Sequence, residues 1–115
     1  MNNKSTRFRL EDILKAIDNA QFILDSADFA EYQRDIAKRM GVERCIEIIS
    51  EASRHVPHEL TQRHPEIPWP EIRGIGNILR HHYQHVSDLI IWRTARKSLP
   101  ELRIVIADFL AENPD

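Results

Sequence analysis

IPWPEIRGIGNILRHHYQHVSD, residues Ile67–Asp88, is the stretch on which the reading of this chain turns. Pro68 and Pro70, with Pro65 just upstream, punctuate its start. Ile72, Ile75 and Leu79 recur at spacings of three and four, the period of a helix with one buried face. Proline suits a first helical turn, so the spacing predicts a helix from Pro70 to about His82. His82 or Tyr83 completes its inner face, and a break follows at His85–Ser87. Gly74 and Gly76 are poor helix formers, so their presence points to close approach of the backbone to a neighbouring helix or a ligand. Asn77, Arg80, His81, His82, Tyr83 and His85 form a knot of polar side chains at the end of this helix.

Outward from this stretch the chain reads as helical scaffold. Upstream, Leu10, Ile13, Leu14, Ile17 and Leu24 mark a helix over Phe8–Ser26, and Ser26 or Asp28 can cap the next one. Phe29 to about Val56 reads as a single long helix that tolerates or kinks at Gly41. Glu43, Glu47 and Glu51 project from it at four-residue spacing as a solvated stripe, from which Glu51 can pair with an arginine of a neighbouring helix. His58–His64 is a short helix, and Pro65–Pro70 an extended linker with Trp69 as a hydrophobic plug. Downstream, Ser87 or Asp88 caps a helix carrying Leu89, Ile90, Trp92 and Ala95. A last helix runs from Leu99 to about Leu110, with Pro100 in its first turn. The expected fold is all-α: one domain over residues 1–115, an up-and-down bundle of four to five helices. Ile90 and Ile91 cannot both face one core, so a homodimer is expected to use the surplus apolar surface.

Composition narrows the function. The chain has 115 residues, 42% hydrophobic and 30% charged, with three glycines, which suits a helical globule rather than a disordered chain. A single cysteine, Cys45, excludes an internal disulfide, and its neighbours Val42, Ile46 and Ile49 make it a buried, inert thiol. No apolar run is long enough to span a membrane and no targeting motif is seen, so the expected location is the cytoplasm. The net charge of −2 gives no global field for nucleic acid, but residues 61–97 carry six Arg and Lys against three acidic residues. A local site for a polyanion is compatible with that.

Asn77, Arg80 and His81 lie three and four apart and share one side of a helix. A histidine titrates near neutral pH and can take a proton from a ribose 2′-OH or give one to a leaving oxygen. An arginine can hold a phosphate through two hydrogen bonds and stabilise the charge that builds up in the transition state. Together they suffice for RNA cleavage without a metal, although basic residues also gather at helix C-termini simply because the dipole favours them there. A metal site on His81, His85 and Asp88 is the competing reading, and the break near His85 spoils its spacing. HELTQRH lacks the second histidine of a zinc-protease motif, since Gln62 stands where it belongs. No phosphate loop, dinucleotide fingerprint or serine triad is present. Neither a metal nor another cofactor is expected.

Four segments, RLEDILKAIDNA, IEIISEASRHVP, PEIPWPEIRGIGNILRHHY and DLIIWRTARKSLPEL, together resemble the HepT-like family of the HEPN superfamily, in the same order and spacing. That resemblance implies a dimeric, all-helical ribonuclease toxin paired with a minimal nucleotidyltransferase antitoxin. The family signature is Arg, four residues, His, one residue, Tyr. Its histidine falls on His81, and its tyrosine, which the antitoxin silences with AMP, on Tyr83. Its arginine position is Gly76, followed by Asn77. Arg80, or Arg73 one turn upstream, can supply the missing cation, with Asn77 and Glu51 in support. Arg80 and His85 also satisfy the literal spacing, but no tyrosine follows. The expected function is an endoribonuclease acting on RNA. The alternative is a catalytically inactive module that binds nucleotide or the antitoxin.

Overall fold

In a computed structural model describing residues 3–82 and 86–114, the chain is built from helices alone among the described residues. They are α1 (Asn3–Leu24), α2 (Phe29–Arg34), α3 (Ile36–Ser53), α4 (His58–Arg63), α5 (Trp69–His81), α6 (Asp88–Arg93) and α7 (Leu99–Glu112). A π-helical turn, Thr94–Ser98, joins α6 to α7 without a gap. Four long rods therefore make the bundle: α1, α3, α5 and the composite rod over 88–112. The short α2 and α4 act as corners. α3 lies between α1 and α5, and α7 packs on the other side of α1.

The buried stripes follow the helical period. Leu10, Ile13, Ile17 and Leu24 of α1 have no exposed surface, and Ile46 and Ile49 of α3 have almost none. Leu102 and Ile106 of α7 complete the centre. Burying each such side chain contributes roughly 1.5–3 kcal/mol before the entropy of ordering it. Outside this core, Arg103 grips Asp18 through two hydrogen bonds of 2.7 and 3.0 Å, tying α7 to α1 and holding the Asp18 carboxyl below its usual range.

Besides α1, which starts at Asn3 rather than Phe8, two helix boundaries differ from the expected ones. The segment after Phe29 is two helices, and the break is at Asp35 rather than Gly41. Asp35 ends α2 with extended backbone and starts α3, its side chain accepting from the Lys38 N–H at 3.1 Å. Gly41 lies inside α3 against Ile23 of α1. α2 itself begins with a capping box in which Asp28 and Glu31 each accept from the other's backbone N–H.

The second difference is the continuity of the last rod. Pro100 has no N–H, so it cannot bond the carbonyl four residues back, which normally breaks or kinks a helix. Here the turn before it widens, and Leu99 N–H donates to Thr94 O, five residues back. That leaves the Ala95 carbonyl without either backbone partner. Gln21 of α1 fills the gap, its Nε2 donating to Ala95 O at 2.8 Å. Arg96 donates from the same turn to Asp25 O and Ala27 O and lies over the Trp92 ring, 4.9 Å from its centroid.

Other expectations hold. Trp69 is buried and its indole N–H donates to His64 O at 2.9 Å, which fixes the linker before α5. Ser87 caps α6 through the Ile90 N–H. Ile91 is 1% exposed and Ile90 52%, so only the first joins the core.

Candidate active site

α5 owes its seat to a missing side chain. A Cβ on Gly76 would stand 2.6 Å from Ser50 Oγ and 2.7 Å from Ser50 Cβ, so α5 and α3 touch backbone to side chain at this point. Ser50 is buried and turns the contact into a hydrogen-bond relay. Its hydroxyl donates to Arg73 O at 2.9 Å and accepts from Gly76 N–H at 3.0 Å. The close approach expected of the glycines is therefore to a helix, and it belongs to Gly76 alone. Gly74 has no neighbour within 4 Å and opens on a groove of about 390 Å³ lined by Pro70, Glu71, Ile75, Ile78, Val86 and Ile90.

Arg80 lies one turn beyond Gly76 on the same face of α5. Helical side chains lean back toward the N-terminus, and Arg80 Nη1 comes 3.6 Å from the point where a Gly76 Cβ would stand. Its guanidinium thus occupies space beside the residue that lacks a side chain. From there Arg80 lines a polar groove of about 340 Å³ with Arg9 and Asp12 of α1 and Arg44, Glu47, Ile48, Glu51 and Ala52 of α3.

Of the residues singled out from the sequence, Arg80 and Glu51 meet in this groove. Glu51 also stands 3.7 Å from Arg54. Arg73 points elsewhere, its Nε donating to Ser53 O at 3.4 Å near the end of α3. Asn77 and His81 are exposed on α5 and do not line the groove. Consecutive helical residues diverge by about 100°, so His81 and Arg80 open on different sides of one chain. His82, expected on the inner face of α5, is exposed and ends the helix, its N–H donating to Ile78 O at 2.7 Å. Tyr83 and His85 lie outside the described residues.

Arg44 and Glu47 also line an adjoining depression with Met40, Glu43 and Leu79. Burial there pushes the Glu43 carboxyl above its usual range. The charge of Asp88 adds to the shift, while Arg39 opposes it. Burial likewise raises the Cys45 thiol, in keeping with an inert cysteine. Sequence reasoning missed Ser50, Arg9, Asp12 and Arg44, since no local signal links positions so far apart in the chain.

Comparison with known proteins adds a family. The profile described as ribonuclease HepT-like matches residues 13–109. The chain is 33% identical over 100 residues to "Probable ribonuclease HepT" of Thermococcus cleftensis, covering 87% of this chain and 91% of the relative. It is 31% identical over 103 residues to "Putative RNase MJ0125" of Methanocaldococcus jannaschii, covering 90% and 89%. No solved structure matches.

Proposed function

Since the chain belongs to the ribonuclease HepT-like family, we propose that it is a metal-independent endoribonuclease toxin in which Arg80 takes the part of the absent motif arginine. One observation carries this reading: the Arg80 guanidinium lies beside Gly76, 3.6 Å from the point where that residue's Cβ would be. The cation needed at the motif position is thus delivered from one turn downstream.

The chemistry is transesterification. His81 removes the proton from a ribose 2′-OH, the oxygen attacks the adjacent phosphorus, and the bond to the 5′-oxygen breaks. A protonated histidine returns a proton to that leaving oxygen, giving a 2′,3′-cyclic phosphate and a free 5′-OH. Arg80 neutralises the charge that builds on the phosphoryl oxygens. Asn77, one turn before His81, orients the imidazole or the ribose, and Glu51 lines the same groove as Arg80. Because His81 and Arg80 diverge on one chain, the complete site is composed from two copies, Arg80 of one meeting His81 of the other. Exposed Ile78, Leu89 and Ile90 supply apolar surface for that homodimer.

The same reading assigns the off state. Tyr83 is two residues from His81, and a nucleotidyltransferase antitoxin would join its phenolic oxygen to the α-phosphorus of ATP with loss of pyrophosphate. The attached AMP would add a bulky anion that competes with the RNA phosphate for Arg80. The expected product is a protein heavier by one AMP, unchanged in mass when Tyr83→Phe is treated with the antitoxin and ATP.

The test is cleavage of a defined RNA with a chelator present. Wild type is expected to cut, and Arg80→Ala and His81→Ala to lose at least about a hundredfold in rate. Gly76, which removes the motif arginine, also favours a second reading: an inactive module that binds nucleotide or antitoxin. Intact RNA after incubation with wild type, or equal cutting by all three proteins, would select it.

A further inference from the structure

We propose that the groove between α1, α3 and α5 is a seat for the RNA strand beside the bond that is cut, with Arg9 and Arg44 holding backbone phosphates that do not react. The inference rests on the ribonuclease reading above and extends it to residues outside the motif. Three helices each send one arginine to the groove: Arg9, Arg44 and Arg80. Among the described residues, neither Arg9 nor Arg80 has a carboxylate within 4.0 Å, and the single contact of Arg44 is a 3.8 Å approach to Glu47. Such a pair contributes little and yields readily to a phosphate.

The three carboxylates in the groove do not cancel this capacity. Glu51 is drawn to Arg54 from outside the lining, so with Arg54 included the groove holds one positive charge in excess. Asp12 has no cation within 4.0 Å among the described residues and is an acceptor available to the N–H edge of a base. Ile48 is 37% exposed and offers an apolar surface for a ribose or base face.

The shape favours a polymer over a single nucleotide. Arg44 and Glu47 line both this groove and the adjoining one of about 340 Å³, so the depression continues along α3 past Leu79. Arginines fixed on separate helices suit successive phosphates of one strand, where a lone phosphate would call for a single fork.

The experiment measures binding of a fluorescent single-stranded RNA made uncleavable by 2′-O-methyl groups. The proteins are the full chain, Arg9→Ala, Arg44→Ala and, as control, Arg34→Ala, an exposed arginine at the end of α2 that lines neither groove. Arg9→Gln keeps most of the methylene stem and replaces Arg9→Ala if circular dichroism shows α1 disturbed. Each groove variant is expected to weaken binding about tenfold and to lower the slope of log affinity against log salt by about 0.7. Arg34→Ala is expected to stay within twofold. With cleavable RNA the groove variants should raise KM and leave kcat unchanged. Wild-type affinity and salt slope in both Arg9 and Arg44 variants would overturn the seat, even if the RNA is still cut. Failure of wild type to cut would instead overturn the ribonuclease reading, and the binding measurement would still decide the seat.

Discussion

At Gly76 an added methyl group would press on Ser50 from less than 3 Å, whereas at Gly74, two residues earlier on α5, it would meet nothing within 4 Å. The two substitutions to alanine should therefore differ in sign. Gly76→Ala is expected to cost about 1–3 kcal/mol of stability through overpacking. Gly74→Ala should gain about 0.5–1 kcal/mol, because alanine restricts the unfolded chain and suits the helix. Urea denaturation of the two variants checks both. Glu43 gives a pH signature. Its folded-state pKa is raised by burial and by Asp88, so the group's contribution is fully present below the unfolded carboxylate value. It is lost as pH rises through the folded value. Glu43→Gln should match wild type at the acid end of that window and exceed it above, by less than about 1 kcal/mol after solvent screening. Thermal melts across the window measure this. At this scale the sequence was partly legible. Two glycines in one helix signalled a close approach, but which of them makes it depends on where α3 crosses.

Among the elements, the rod over 88–112 offers the sharpest test, since its π turn, Pro100 and Gln21 form one arrangement. Gln21→Ala leaves the buried Ala95 carbonyl without its 2.8 Å donor and should cost about 1–2 kcal/mol. Pro100→Ala restores an N–H five residues from Ala95, able to serve the same carbonyl. In that background Gln21→Ala should cost much less, and a double-mutant cycle by urea denaturation would read the coupling directly. Additive costs would show that Gln21 stabilises the rod in some other way. Stripes, caps and the α5 helix were readable because they are set by local spacing. The Asp35 break and the π turn were not. A proline in a first helical turn normally marks a new helix, and here a glutamine from α1, 74 residues away in sequence, supplies what continuity requires.

For the whole molecule, the bundle of amphipathic rods was evident from the apolar period, and the polar end of α5 from its residue types. The groove was not, because Arg9, Arg44 and Arg80 come together only when α1, α3 and α5 pack. Assembly is the matching prediction. Ile90 is half exposed beside the groove under Gly74, and Ile90→Lys should leave the fold intact while shifting a dimer toward monomers in sedimentation. RNA cutting should fall with the dimer fraction, and a dimer unchanged by the lysine would move the interface elsewhere. The seat of Gly76 against Ser50 also ties two distant positions of the sequence to each other. A side chain at position 76 would bring its Cβ within 3 Å of Ser50, so residue 50 or the α3–α5 contact would have to give way. A smaller residue 50 would make room there and would also remove the hydroxyl that links Gly76 N–H to Arg73 O. Positions 50 and 76 are therefore epistatic: the side chain one of them accepts depends on the other.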